Sequence, residues 1–199
     1  MRLEYLIPLI AYLLGSIPFG YILIKSAKGQ DIRSFGSGNI GATNVFRKNR
    51  LAGILTLILD GTKGYLAVML AGWLGGSIEW QAVAAVCAII GHVFTFWLRF
   101  KGGKGVATGC GAYLALSPSA VFMTLGLFLL ILILTRYISL SSIGATAFFP
   151  FWAYFFDVPA SVLFWATIGA VLIIAKHREN IHRLLSGTES KLVLGTRSR

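Results

Sequence analysis

The sequence predicts an all-α fold, a polytopic membrane helix bundle of seven crossings with its N-terminus outside and its C-terminus in the cytoplasm. Three observations carry this reading. Charged residues make up 13% of the 199-residue chain, against about 25% in a soluble domain. Hydrophobic residues reach 56% and fall into long runs, where charge would be expensive in hydrocarbon. The lysines and arginines behind the net charge of +11 sit in the short segments between those runs, as basic loops do on the cytoplasmic side of a membrane. That placement also argues against nucleic acid, which is bound by a basic patch on one face.

The first apolar run, residues 3–24, contains one charge, Glu4, and is about the length of a single crossing. It lacks the small-residue cleavage site of a signal peptide and reads as the first retained helix. Runs at 51–74, 80–98, 138–156 and 158–175 each have the length of one crossing. The run at 106–134 is longer and is interrupted by Ser117-Pro118-Ser119, where proline removes a donor and disfavours helix at the preceding residue.

Charge decides how that run is threaded. A single crossing would leave Arg136 and the basic C-terminus outside. A turn at Ser117–Ser119 brings every basic residue inside except Arg2 and Lys63, the latter within a helix. Two helices then come out short and must be accommodated by neighbouring protein or local thinning. Glycines number 23, many inside apolar runs, where small residues let membrane helices approach closely. One membrane-embedded domain over 1–187 is expected, followed by a basic, flexible cytoplasmic tail over 188–199.

This topology gathers three polar segments on one face. The first, residues 36–47, carries Ser37, Gly38, Asn39, Thr43, Asn44 and Arg47 among clustered glycines. Its G-x-G-x-x-G spelling is a decoy, because a dinucleotide fingerprint follows a strand and here a membrane helix precedes it. Glycine with short donors does make anion-binding concavities. The second, residues 101–108, places Gly102, Gly103, Lys104 and Gly105 at the start of an apolar run. Free N–H groups and a positive dipole end would face the loop there. It is not a Walker A loop, since Gly105 stands where a hydroxyl is needed. The third, residues 176–183, sets His177, Asn180 and Arg183 in one row at helical spacing.

Smaller features complete the inventory. Asp60 and Lys63 lie inside a crossing at i, i+3 spacing, where mutual neutralisation is a sufficient structural account. Arg136 with Ser139, Ser141 and Ser142 forms another donor-rich turn on the inner face. Cys87 and Cys110 fall in apolar runs and read as small buried hydrophobes. No ligand cluster with metal spacing appears, so neither metal nor cofactor is expected.

Taken together, these segments resemble the bacterial acyl-phosphate:glycerol-3-phosphate acyltransferase family. The resemblance rests on AYLLGSIPFGYI (11–22), GSGNIGATNVFR (36–47), LDGTKG (59–64), GHVF…FKGGKGVAT (91–108), RYISLSSI (136–143) and KHRENIHRLLSG (176–187). One position departs from the pattern: Thr95 stands where the family usually carries proline, which bears on local helix shape.

The resemblance implies transfer of a fatty acyl group from acyl phosphate, not acyl-CoA, to the sn-1 hydroxyl of glycerol 3-phosphate, giving lysophosphatidic acid. It also implies a seven-crossing enzyme of the bacterial inner (cytoplasmic) membrane, with the active site facing the cytoplasm, embedded in membrane lipid and without an obligate protein partner. By similarity, Ser37, Asn39, Thr43 and Asn44 would help hold phosphate, and Gly38, Gly102, Gly103 and Gly105 would bind substrate. Arg47, Lys104, Ser142, His177 and Asn180 would grip or orient the substrates, and catalysis would rest on His177, Lys104, Asn180 and Ser37.

The chemistry suits these residues. Acyl phosphate is already activated, so aligning two anions is the main task, and positioning can supply about 7–11 kcal/mol. Donors aimed at the developing oxyanion and leaving phosphate add to that. No Ser–His–Asp set and no H-x₄-D motif appears. Direct attack by the glycerol hydroxyl, without an acyl-enzyme, is therefore expected, its proton passing to the donor's phosphate or to His177. The rival reading is an anion or organophosphate transporter, which would place its site near the midplane on broken helices within internal repeats.

Overall fold

The computed structural model describes residues 3–192, and every regular element among them is helical. The first apolar run, expected as one helix, is broken. A 3₁₀ turn at Leu3–Leu6 leads into α1 (Ile7–Gly15), and α2 (Phe19–Lys28) resumes three residues later. Pro18 is the cause, because it lacks an N–H and disfavours helix at Ile17. The break frees two carbonyls for distant partners. Thr95 Oγ1 donates to Ser16 O at 2.5 Å, and Lys63 Nζ donates to Ile17 O at 2.7 Å. A proline at position 95 could not make the first of these bonds, so Thr95 ties α1 to the end of the fifth helix.

A short α3 (Ala42–Lys48) turns into the long α4 (Arg50–Trp73) at Asn49. The Asn49 side chain caps α4, its Oδ1 accepting from Ala52 N at 3.0 Å. Then come α5 (Ile78–Val93) and a 3₁₀ turn at Phe96–Leu98. The long fourth run divides at Ser117 into α6 (Val106–Leu116) and α7 (Pro118–Thr135), where Pro118 is tolerated in the first helical turn. The chain continues through α8 (Ile138–Phe155), α9 (Ala160–Ala175) and α10 (Arg178–Leu185).

Five segments are long and apolar enough to cross a membrane: Leu3–Lys28, Arg50–Trp73, Ile78–Leu98, Pro118–Thr135 and Ile138–Phe155. A sixth comes from α9 and α10 if that pair, bent by 54°, is one span. With eleven residues, α6 is only about 16 Å long and cannot cross a bilayer core alone. Outward-facing Phe122, Leu129, Leu130, Ile133 and Leu134 on α7 give the bundle its apolar exterior.

Close backbone approach holds the helices together. A Cβ on Gly64 would strike the Thr108 carbonyl, and one on Gly111 would strike that of Gly61, which fixes α4 against α6. Gly15 meets Ala88, and Gly91 meets the Tyr12 carbonyl, in the same manner between α1 and α5. Asp60 and Lys63 pair at 2.7 Å inside the bundle, both 2% exposed, with His92 Nδ1 3.6 Å from the same carboxylate oxygen.

Residues 188–192 are tied back to the bundle. Thr188 N and Glu189 N both donate to Arg183 O, at 2.8 and 3.1 Å, and Leu192 N donates to Arg136 O at 2.7 Å. Residues 193–199 of the expected flexible tail lie outside the described residues.

Candidate functional site

Lys104 is placed by a loop that folds back on the end of α5. Gly102 N donates to Val93 O and Gly103 N to His92 O, each at 3.1 Å. A Cβ on Gly102 would strike the His92 carbonyl, and one on Gly103 would strike the His92 ring. These two glycines pack the loop against α5, and their N–H groups are bonded to its carbonyls. Gly105 takes φ of 87° at the N-cap of α6 without a side-chain cap, so the first N–H groups of α6 keep their outward donors and positive dipole end.

From this loop Lys104 Nζ donates to Asn180 Oδ1, which joins two segments 76 residues apart in sequence. The Asn180 amide then donates through Nδ2 to Glu189 Oε1 at 2.7 Å. Ser139 Oγ donates to the same oxygen at 2.6 Å, and Arg183 Nε donates to Glu189 Oε2 at 2.6 Å. Against burial, which raises it, the bonds from Ser139, Arg183 and Asn180 hold the Glu189 carboxyl below the usual glutamate range. Glu189 escaped the sequence reading. Its one signal was an acid standing alone in an otherwise basic tail.

Electrostatics extend the cluster. Lys104 is held down at about 8, chiefly by burial; the Glu189 charge opposes that, while Arg183 and Arg47 reinforce it. His177, 2% exposed, is pushed down to about 4, again chiefly by burial, with the Ile173 carbonyl opposing and Lys104 reinforcing. Its Nδ1 lies 2.8 Å from Ile173 O. A carbonyl only accepts, so the neutral ring carries its proton on Nδ1 and keeps a lone pair on Nε2.

The first polar segment divides into a scaffold and a surface. Asn44, 2% exposed, donates to Phe35 O at 2.9 Å and Asn39 O at 2.8 Å, and accepts from Ser37 N at 3.0 Å. It shapes the loop from within and presents no amide to a ligand. Asn39 Oδ1 is likewise committed, accepting from Gly41 N at 2.8 Å. Gly38 takes φ of 68° and bonds Phe35 O at 3.0 Å, a conformation suited to glycine. Ser37, Thr43 and Arg47 are exposed. Of this segment only Arg47 is coupled to Lys104; among the described residues no hydrogen bond links residues 36–44 to Lys104 or to residues 177–183.

Directly beside this cluster opens a narrow apolar cavity of about 70 Å³ between α6, α7, α8 and α9. Val106, Ser142 and Ile173 line its near end; Tyr113, Val121 and Phe149 line the far end. Val106 follows Lys104 by two residues, and Ile173 precedes His177 by one helical turn. Ser142 Oγ bonds Ile138 O at 2.9 Å. The site thus joins a cationic, donor-rich mouth to a hydrocarbon-lined interior, an arrangement that fits an amphiphile with an anionic head.

The family profile described as glycerol-3-phosphate acyltransferase matches residues 5–187. A glycerol-3-phosphate acyltransferase of Geotalea daltonii is 48% identical, over 96% of this chain and 98% of its own. One of Geobacter sulfurreducens is 47% identical, over 94% and 97%. Among solved structures, the chain is similar to a crystal structure of PlsY (YgiH), an integral membrane glycerol 3-phosphate acyltransferase, in its glycerol 3-phosphate form. The TM-score is 0.90 at 40% identity, covering 96% of each chain. The lysophosphatidic acid form gives 0.88 at 38% identity, covering 96% of this chain and 95% of that one.

Proposed function

The chain belongs to the glycerol-3-phosphate acyltransferase family, and on that premise we propose that it moves a fatty acyl group from acyl phosphate to the sn-1 hydroxyl of glycerol 3-phosphate. The product is lysophosphatidic acid. The observation that carries this reading is the bond between Lys104 and Asn180, beside His177, at the mouth of the apolar cavity. Cation and donors suit two phosphates, and the cavity suits a hydrocarbon tail.

The transfer is a single displacement. The glycerol hydroxyl forms an ester bond to the acyl carbon, the bond to the phosphate oxygen breaks, and the hydroxyl proton leaves with the phosphate. A phosphate with a second pKa near about 6 is a better base than an imidazole. That comparison holds because His177 is depressed to about 4, so the donor's own phosphate takes the proton. The lone pair on His177 Nε2 orients the attacking hydroxyl. Lys104 and the exposed Arg47, Ser37 and Thr43 hold the phosphates, and the first N–H groups of α6 face the developing oxyanion.

In the membrane we place seven crossings, with the N-terminus outside and the site at the cytoplasmic face of a bacterial inner membrane. The division at Ser117 supports this, since α6 and α7 as separate crossings return the basic C-terminal segment to the inner side. A transporter would place its site near the midplane on broken helices, whereas Lys104, Asn180 and Glu189 meet at the helix ends, outside the five long spans. In detergent without sealed vesicles, the purified protein given acyl phosphate and glycerol 3-phosphate should release lysophosphatidic acid. Absence of that product would sink the reading.

A pH profile tests the charge assignment. Lys104 is protonated below about 8 and neutral above it, and kcat/KM reports the free enzyme. The rate constant should therefore fall as pH rises through that value. Lys104→Arg, which keeps its charge at high pH, should remove the falling limb. A limb that stays in the variant would assign it to another group.

A further inference from the structure

Two aromatic rings line the far end of the cavity, and we propose that Tyr113 and Phe149 form a floor that sets the longest acyl chain accepted without bending. This rests on the acyltransferase reading above. The rings lie 4.7 Å apart between centroids, and both are nearly fully buried. Tyr113 cannot swing aside easily, because its hydroxyl donates to Trp165 O at 3.2 Å. Gly169 leaves room for that hydroxyl, since a Cβ there would come within 2.7 Å of it. An apolar cavity ending on a hydrogen-bonded phenol is a fixed stop rather than a soft one.

Depth gives the expected length. His177, at the mouth, and Ala166, at the floor, are eleven residues apart, which is about 16 Å of helix. A staggered hydrocarbon with bonds of ~1.5 Å advances roughly 1.3 Å per carbon, so about a dozen carbons reach the rings. Small buried residues, Ala120 and Ala153, share the core cluster of the two rings, with Leu116 and Trp152 packed against it. Removing a ring deepens the cavity. Ala145 lies one turn nearer the mouth than Phe149 on the same wall, so enlarging it raises the floor by about 5 Å.

The test is a competition among acyl phosphates of about 8–18 carbons, bracketing that length, with lysophosphatidic acid products resolved by mass spectrometry. Phe149→Ala should move the favoured length up by about four carbons, and Ala145→Leu should move it down by about as much, given the dimensions of one helical turn. The ratio of products does not depend on how much enzyme is folded, so a purely structural loss cannot imitate a shift. Variants that lower all lengths in proportion, while the wild type makes lysophosphatidic acid, would overturn the floor and leave the acyltransferase reading standing. A wild type that uses no acyl phosphate would remove both.

Discussion

Lys104→Ala should lower kcat/KM by about 10²–10³-fold, the scale seen when one preorganised donor to a developing charge is removed. The ammonium group is largely buried, touches Asn180 and sits in the fields of Arg47, Arg183 and Glu189. Arg183 already neutralises Glu189 at 2.6 Å, so losing Lys104 removes a net positive charge and weakens the hold on phosphate. Lys104→Arg should recover part of the activity, because charge returns while the wider guanidinium misfits Asn180. Asn180→Ala supplies the second arm of a double-mutant cycle. If Asn180 acts by holding Lys104, the double variant should be hardly worse than Lys104→Ala alone. Full additivity would show that the two contribute independently, and an active Lys104→Ala enzyme would count against the whole site.

Much of this arrangement was legible in the sequence, for reasons that differ from residue to residue. Apolar runs dictate helices because the bilayer leaves backbone groups no other partner, and Pro118 marks the division of α6 from α7 through its missing N–H. Pro18 does the same to the first run, which its length of about one crossing made read as a single helix. Lys104 and Asn180 could be paired only through the resemblance, since 76 residues separate them and no local pattern signals such a contact.

The glycines at 102 and 103 show a further limit. Glycine beside lysine reads as an anion loop, but the same spelling serves a backbone packed on His92 and Val93. Asn44 carries a similar ambiguity. A polar residue in a glycine loop can face a ligand or satisfy the loop's own carbonyls, and only its burial and partners separate the two. Glu189 lay hidden because its role depends on a chain reversal at Ser186–Glu189 that brings the carboxylate back over α10.

Asp60→Asn should destabilise the protein by about 3–5 kcal/mol, the usual cost of leaving one member of a buried ion pair alone. Lys63 would then be a cation enclosed by the bundle, keeping its bond to Ile17 O but losing its counter-charge at 2.7 Å. Lys63→Met should cost a comparable amount, because it strands the carboxylate against His92, 3.6 Å away, and releases the carbonyl at the break between α1 and α2. Combining the two removes both charges, so the double variant should be markedly more stable than either single one, since no buried charge is then left without its partner. Thermal unfolding of the detergent-solubilised protein reads all three. The pattern has a functional corollary, because the carbonyl of His92 anchors Gly103. Loss of the charge balance around His92 should therefore loosen the loop that carries Lys104, and KM should rise in the single variants more than in the double. Equal stability of Asp60→Asn and wild type would mean that water or another group reaches Lys63 inside the bundle, and the reading of Asp60 and Lys63 as a mutually neutralising buried pair would have to be abandoned.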